Sequence, residues 1–138
     1  MAKTVATILG AAFILAGLLG FIAPSAMGFH LSMAHTIIHL ASGVVMLYFG
    51  LKGTMWAART ACIVYGALYG LLGLAGFVGG SPGSPSSGHP GPHDDRLLRV
   101  IPGVLELGTS DHVLHLALGI IFVIAGLMTK VRRDRAAD

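Results

Sequence analysis

Two long stretches of this chain carry no ionised side chain. No Asp, Glu, Lys or Arg occurs between Lys3 and Lys52, and none occurs between Arg59 and Asp94. Only 11% of the 138 residues are charged, whereas roughly a quarter are charged in a typical soluble domain. A soluble bundle could not cover its surface with such segments, and disorder requires low hydrophobicity and high charge. We therefore predict an integral membrane protein.

Four apolar runs are long enough to cross a bilayer, which takes about 20 helical residues. They are Thr4 to Ala23, Met33 to Leu51, Ala57 to Val78 and Asp111 to Thr129. Between the third and fourth runs lies an outer Gly/Pro/Ser-rich loop, about 79–109, which opens with GGSPGSPSSG and is typical of a linker. The predicted fold is an all-α, four-transmembrane-helix bundle that forms a single membrane domain over 1–138.

The first run also has features of a secretory signal peptide. Lys3 precedes it, and the small residues Ala23, Ser25 and Ala26 follow it. We expect it to be retained as a true span, because it is longer than a usual signal core and because its pattern recurs later in the chain.

That recurrence indicates an internal repeat. The segment TVATILGAAFILAGLLGFI from Thr4 aligns without a gap with TACIVYGALYGLLGLAGFV from Thr60. In the second spans, HLASG from His39 aligns with HLALG from His115. The sequence therefore predicts a tandem repeat of two-helix hairpins, related by a pseudo-twofold axis along the membrane normal.

Basic residues predict the orientation of the spans. Seven fall on one side of the membrane if the spans alternate, namely Lys3, Lys52, Arg59, Lys130, Arg132, Arg133 and Arg135. The opposite loops carry only Arg96 and Arg99, close to acidic residues. The positive-inside rule then predicts a multi-pass protein of the cytoplasmic (inner) membrane with both termini cytoplasmic and the long loop outside. Since the basic residues flank apolar segments, we expect the lipid bilayer and no nucleic acid as a partner.

Histidine is the main polar residue of the predicted spans. His35 and His39 are four residues apart, and His112 and His115 are three apart, so each pair lies on one helical face. His39 and His115 are equivalent in the repeat, and we expect them to face each other. All seven histidines fall in the outer half of the molecule, where His30, His89 and His93 belong to loops and the pair His89 and His93 is interpreted as part of a solvated linker.

Three chemistries, and one purely structural role, suit these histidines. His39 and His115 are candidate ligands of haem b, with Gly43 and Gly119 leaving room for the macrocycle. His35, His39 and His115 are candidate ligands of a transition metal such as zinc or copper, with Asp111 or His112 as a further ligand. Proton handling is the third chemistry. In the structural role the histidines form hydrogen bonds, while Ser110 and Asp111 cap the fourth span.

Other residues predict structure rather than chemistry. The lone Cys62 excludes an intrachain disulfide, and we expect it to be a small buried residue. Small-residue stripes, formed by Ala12, Ala16 and Gly20 and by Gly66 and Gly70, favour packing within the bundle or homodimerisation. The segment from Arg96 to Leu105 is interpreted as interfacial, and Glu106 as solvated. No phosphate-binding loop, nucleophile elbow or HExxH motif occurs, so an enzyme is not expected.

Several of these motifs resemble those of a family of small four-span bacterial membrane proteins, domain of unknown function 4383. The matching positions include Leu19 to Ile22, Arg59, His35, His39, Asp111 and His115. Thr36 and His112 stand where that family usually has Asn. The resemblance covers nearly the whole chain and implies a four-helix membrane bundle without an established activity. It also makes His39, His115 and His35 better site candidates than His112.

Two functional hypotheses follow. The first is a structural or accessory membrane bundle that forms a homo-oligomer or a subunit of a larger complex. The second is a His-ligated haem or transition-metal protein that uses His39 and His115 in the outer half of the bundle. A transporter is a third and weaker hypothesis, because four spans offer little machinery for alternating access.

Overall fold

A computed structural model describes residues 1–24, 31–86 and 92–131 and contains four long helices. They are α1 (Ala2–Ile22), α2 (Met33–Leu51), α3 (Met55–Gly79) and α4 (Thr109–Met128). All four are long and apolar enough to span a membrane, and each begins and ends within two residues of the run predicted for it. The predictions made for Ser25, Ala26, His30, His89, Arg132, Arg133 and Arg135 fall outside the described residues.

Hydrogen bonds at the helix starts explain where three of these helices begin. The Ser32 hydroxyl accepts from the His35 amide at 3.3 Å, and the Thr54 hydroxyl accepts from the Ala57 amide at 3.1 Å. At the start of α4 the Asp111 carboxylate accepts from the Gly108 amide at 2.9 Å. Each side chain satisfies a backbone donor that has no partner within its helix.

Large apolar side chains cover the outside of the helical bundle. Ile8, Leu15 and Leu71, for example, are 61%, 62% and 66% exposed. The interior contains glycine, alanine, a few aromatic residues and all four histidines of α2 and α4. This distribution is the reverse of the one expected in water, where an amphipathic helix turns its apolar face inward, and it suits a hydrocarbon surrounding.

Within the first hairpin, α1 and α2 approach through glycine. A Cβ atom added at Gly10 would lie 2.6 Å from the Leu47 amide nitrogen, and one added at Gly43 would lie 2.8 Å from the Gly10 carbonyl oxygen. No side chain fits at such distances. Close backbone approach over small residues provides the packing that lipid cannot drive by the hydrophobic effect.

The second hairpin, α3 with α4, is built in the same manner. A Cβ atom at Gly66 would lie 2.9 Å from the Gly119 carbonyl oxygen, and one at Gly119 would lie 2.6 Å from the Gly70 amide nitrogen. The stripe formed by Gly66 and Gly70 is thus occupied by α4 of the same chain. Ala12 of the other predicted stripe is exposed.

The two hairpins meet through larger side chains. Phe13 of α1 stacks on Tyr69 of α3 with ring centroids 5.2 Å apart, and Phe122 of α4 lies 6.2 Å from Phe13. Helix α1 packs chiefly on α2, and α3 chiefly on α4, so the contact between hairpins is looser than the contact within them. Side chains, rather than closely packed backbones, therefore occupy the space between the hairpins.

The loop between α3 and α4 is not a simple linker. It contains strands β1 (Ser81–Gly83), β2 (Asp94–Ile101) and β3 (Leu105–Leu107), which form an antiparallel sheet in the order β1-β2-β3. The segment from Arg96 to Leu105, which is interpreted as interfacial, forms most of β2, a turn and the first residue of β3. Gly103 adopts a φ of +74° in that turn, which glycine tolerates without a steric penalty.

This sheet, which we name the β-cap, is attached to the ends of three helices. The Ser32 hydroxyl, at the start of α2, donates to the Val104 carbonyl at 2.9 Å. Arg96 donates through Nη1 to the Phe77 carbonyl near the end of α3 at 2.6 Å. The Thr109 hydroxyl, at the start of α4, donates to Asp94 at 2.7 Å. The β-cap therefore lies at the end of the bundle where α2 and α4 begin.

Two substitutions one helical turn apart test the glycine packing. Gly66→Ala places a methyl group against the α4 backbone, and we expect it to lower the free energy of unfolding by about 1–3 kcal/mol. Gly70→Ala is the matched control, because its methyl group would meet only the Gly119 Cα atom at 4.0 Å. It should leave that free energy unchanged or raise it by up to about 1 kcal/mol. Reversible unfolding in mixed micelles measures both, and equal effects would contradict the packing described.

Candidate metal centre

Three histidines from two helices converge beneath the β-cap. His35 and His39 lie one turn apart on α2, and His115 lies on α4. Each offers one nitrogen atom such that the three nitrogens lie within 4.8 Å of one another. The three residues are only 3%, 6% and 3% exposed, respectively. The capped start of α2 and the matching position near the start of α4 bring them to the same depth in the bundle.

Aromatic rings hold the imidazoles in place. The rings of His35 and His39 meet edge to face with centroids 4.4 Å apart, and His35 lies 6.1 Å from His115. Phe13 of α1 stacks on His39 at 5.6 Å, and Tyr69 of α3 contacts His115 edge to face at 5.1 Å. All four helices thus contribute to the arrangement, which restricts the motion of the rings.

Two of these three imidazoles have a buried nitrogen without a hydrogen-bond partner among the described residues, and outside the group the same holds for Nδ1 of His112 and the hydroxyl of Thr36. The Nδ1 atoms of His39 and His115 have no hydrogen-bond partner among the residues that the structure describes. A buried polar group without a partner costs about 1–3 kcal/mol, so two such atoms in one cluster require an explanation. A bound ion that takes a lone pair from an imidazole nitrogen would provide one.

A cavity of about 200 Å³ adjoins the three histidines. Its polar side also includes Ser42 and Tyr69, whose side chains form a hydrogen bond. The rest of the wall is aliphatic and comes from α2, α3 and β3, through Ile38, Leu68, Leu72, Leu105 and Leu107. Space therefore exists next to the nitrogen donors for one more small ligand.

The other predicted ligands have different partners. The Asp111 carboxylate accepts from the Gly108 amide at the start of α4 and does not belong to the three-nitrogen group. His112 donates through Nε2 to the Arg96 carbonyl at 2.7 Å, and its ring contacts Phe77 at 5.6 Å. His112 therefore fastens the β-cap to α4, whereas His35, His39 and His115 come together as the sequence predicts.

A haem group does not fit this arrangement. Pockets for ligands of drug size typically measure about 300–1,000 Å³, well above the volume found here. The expectation that Gly43 and Gly119 leave room for a macrocycle is wrong, because the Gly10 carbonyl and the Gly70 amide fill the space beside them. The geometry favours a single ion with a small further ligand.

Glu106 is the polar residue that sequence reasoning misplaces. It is predicted to be solvated, but it is fully buried in β3. Its carboxylate accepts from the Ser86 amide at 2.5 Å, the Ser86 hydroxyl at 2.9 Å and the Gly103 amide at 3.2 Å, and it lies 3.4 Å from Arg99 Nε. The donors come from separate turns of the loop, so no local pattern around Glu106 indicates its burial.

Asp94 joins β2 to α4. Its carboxylate accepts from the Thr109 amide at 2.8 Å, the Thr109 hydroxyl at 2.7 Å and the Arg96 amide at 2.8 Å. Partial burial alone would raise the pKa of Asp94, but these hydrogen bonds from Thr109 and Arg96 outweigh it and lower the pKa below its ordinary value. The ionised carboxylate therefore stabilises the attachment of the β-cap.

Comparison with known proteins identifies no relative. No family model matches the chain, and neither a curated protein nor a solved structure is significantly similar to it.

Asp94→Asn tests the attachment of the β-cap. An amide cannot accept all three hydrogen bonds, so we expect hydrogen exchange of the β2 amides to accelerate about tenfold, which corresponds to the loss of one bond to a charged group. Asp95→Asn is the matched control, because the Asp95 side chain is 92% exposed. Exchange measured by mass spectrometry should not change in the control, and equal exchange in both variants would contradict the role of Asp94.

The same attachment predicts a dependence on pH. Because the folded-state pKa of Asp94 is lowered, its contribution is complete above its unfolded-state pKa of about 3.9 and is lost as pH falls through the lower folded-state value. Wild-type β2 amides, corrected for intrinsic exchange, should lose protection below about pH 4. The Asp94→Asn protein should lack this transition, and an identical transition in both proteins would refute the assignment.

Proposed function

We propose that this chain is a small integral membrane protein that binds one transition-metal ion through His35, His39 and His115. The observation that carries the proposal is the set of three buried imidazole nitrogens within 4.8 Å of one another. Binding of a single metal ion is proposed in place of haem ligation, because the cavity is too small for a haem group. The proposal assigns no catalytic residue. It is compatible with an accessory protein that delivers or senses a metal within a homo-oligomer or a larger membrane complex.

The donor set suits zinc or copper. Imidazole is a ligand for both metals, and sites with three protein ligands keep a fourth position open for water or substrate. At a zinc–nitrogen distance of about 2.0–2.1 Å, the nitrogens of a tetrahedral site lie about 3.3 Å apart. The histidines therefore need side-chain adjustments of roughly 1 Å to bind one ion. No thiolate or carboxylate within the described ranges joins the group, so calcium and magnesium, which require oxygen ligands, are poor candidates.

The proposed orientation places the metal centre in the outer half of the cytoplasmic membrane. Lys3, Lys52, Arg59 and Lys130 lie at the helix ends opposite the β-cap, and the positive-inside rule makes that end cytoplasmic. The β-cap then faces outward, directly above the histidines. The apolar outside of all four helices supports their insertion in lipid.

We also propose that the two hairpins are a tandem repeat. Support comes from contacts that recur at matching positions of the alignment. Gly10 against Leu47, Gly17 against Leu40 and Gly20 against Thr36 correspond to Gly66 against Val123, Gly73 against Leu116 and Gly76 against His112. The ring pair of Phe13 and His39 corresponds likewise to that of Tyr69 and His115. Under this proposal the metal centre lies near the pseudo-twofold axis, and His35, which aligns with Asp111, is the ligand without a histidine counterpart.

Kinship with domain of unknown function 4383 is a further proposal. It is supported by His35, His39, Asp111 and His115, the positions that match the motifs of that family. Three of these positions form the histidine group, and the fourth starts α4. A shared motif with these roles would be expected of a family built around the same site.

Metal titration tests the proposed function. Wild-type protein in mild detergent, with its purification tag removed, should bind one Zn²⁺ or Co²⁺ ion per chain. His39→Ala and His115→Ala should each weaken binding by about 100-fold or more, because even supporting residues of metal sites are worth about 10–100-fold. Elemental analysis and the visible spectrum of bound Co²⁺ measure the stoichiometry and the nitrogen ligation.

Two variants serve as controls for this titration. His93→Ala removes an exposed loop histidine that pairs with Asp95, and Asp111→Asn changes the predicted ligand that lies outside the group. Both should retain wild-type affinity. A folded wild-type protein that binds no metal above background would refute the proposed function, and loss of metal from the Asp111→Asn variant would add Asp111 to the site.

Cysteine labelling tests the proposed orientation. In a Cys62→Ser background, Ser84→Cys should react in intact cells with a maleimide that cannot cross membranes. Lys52→Cys should react only after the membrane is permeabilised. Ser84 and Lys52 are both exposed, so accessibility of the introduced thiols is not limited by the fold. The reverse labelling pattern would show that the orientation in the membrane is opposite to the one proposed.

A further inference from the structure

The cavity beside the histidines extends to the side of the bundle. Ile38 of α2 and Leu68 of α3 line it, and they are 42% and 60% exposed on the outer surface. Helices α2 and α3 contact each other much less than the two helices of either hairpin do. The exposed lining residues and the loose contact between α2 and α3 point to an opening between these helices, on the surface that would face lipid.

The β-cap covers the other approach to the cavity. Leu105 and Leu107 of β3 line the cavity from above, and Leu107 is only 1% exposed. The buried Glu106 between them is held by Ser86, Gly103 and Arg99. A ligand that came from the outer aqueous phase would have to displace this strand, whereas a ligand that came from the bilayer would pass between aliphatic side chains.

We propose that this cavity takes a phenol-class ligand from the lipid phase, meaning a neutral six-membered ring with a hydroxyl group and an apolar tail. The inference rests on the proposed function, because the hydroxyl oxygen occupies the open position of the metal. The ring fills the cavity, and the tail leaves between Ile38 and Leu68. Quinol headgroups belong to this class.

Size and polarity support this class of ligand. A dry apolar cavity of about 150 Å³ holds one benzene molecule, so a cavity of about 200 Å³ holds one substituted ring. The walls are aliphatic, and the polar groups lie together at one end, where the histidines, Ser42 and Tyr69 provide donors and acceptors for a hydroxyl group. No lysine or arginine lines the cavity among the described residues, so the proposed metal ion is its one cation, and the aliphatic walls favour a neutral ring over a sulfonate that would have to lose its hydration.

Binding of 4-butylphenol to the Co²⁺-loaded protein in phosphatidylcholine nanodiscs tests the inference. The visible Co²⁺ spectrum reports ligation, and binding to empty nanodiscs is subtracted. Wild-type protein should bind 4-butylphenol, whereas 4-hydroxybenzenesulfonate, which has the same donor but stays in water, should not change the spectrum.

Leu72→Trp and Leu71→Trp are matched variants for this experiment. Leu72 lines the cavity, whereas Leu71 is 66% exposed on the outside and does not line it. Leu72→Trp should weaken 4-butylphenol binding about tenfold or more, because the indole would fill the cavity and the phenol ring could no longer be buried there. Leu71→Trp should leave it unchanged, and Co²⁺ binding by each variant is measured first so that 4-butylphenol binding is compared at equal metal occupancy.

The possible outcomes separate this inference from the proposed function. If Co²⁺ binds but 4-butylphenol does not, or binds equally to the Leu72→Trp protein, the inference is overturned and the metal centre stands. Equal binding of the sulfonate would also overturn it, by showing access from water. If Co²⁺ does not bind, the equilibrium partition of 4-butylphenol into metal-free protein shows whether the cavity itself binds a phenol. Binding to metal-free protein that is lost in Leu72→Trp would retain the phenol cavity but overturn ligation of the hydroxyl group to a metal, and no such binding overturns the whole inference.

Discussion

The close approach of helix backbones at glycine is the constraint on which the rest of this structure depends. In lipid, the burial of apolar side chains gives no hydrophobic free energy. Helices therefore associate where small residues let their backbones approach closely. Gly10 with Gly43, and Gly66 with Gly119, create such contacts within each hairpin. Because these contacts use the small-residue faces inside the hairpins, the faces left between the hairpins carry the rings and imidazoles that form the site.

The β-cap gives the site its second constraint. A loop rich in glycine, proline and serine folds into a sheet because its few charged residues find partners there, with Asp94 on Thr109 and Glu106 on Ser86 and Arg99. The same sheet takes hydrogen bonds from the starts of α2 and α4, the helices that carry the histidines. The sheet therefore closes the end of the bundle nearest the histidines, and Leu105 and Leu107 of β3 line one wall of their cavity.

Polar groups in this protein are concentrated where they have a partner or a use. Asp111 begins α4, His112 holds the β-cap, and Arg59 donates to the Gly126 carbonyl near the end of the same helix. In the described part of the chain, four buried atoms depart from this pattern by lacking a partner: the Thr36 hydroxyl and the Nδ1 atoms of His39, His112 and His115, two of which belong to the histidine group. Such expensive, unsatisfied groups within an apolar bundle are typical of functional positions.

The sequence by itself determined the four helices, since an apolar run of about 20 residues with at most one charged side chain has few other stable forms in lipid. The sequence also predicted that His39 and His115 occupy equivalent positions in their helices, because HLASG and HLALG align there. Only the tertiary structure decided that His35 joins them while Asp111 and His112 do not, that Gly43 and Gly119 face backbone rather than a cofactor, and that Glu106 is buried. Those outcomes depend on which faces of different helices and strands meet, and residue spacing within one segment carries no information about the partner across the gap.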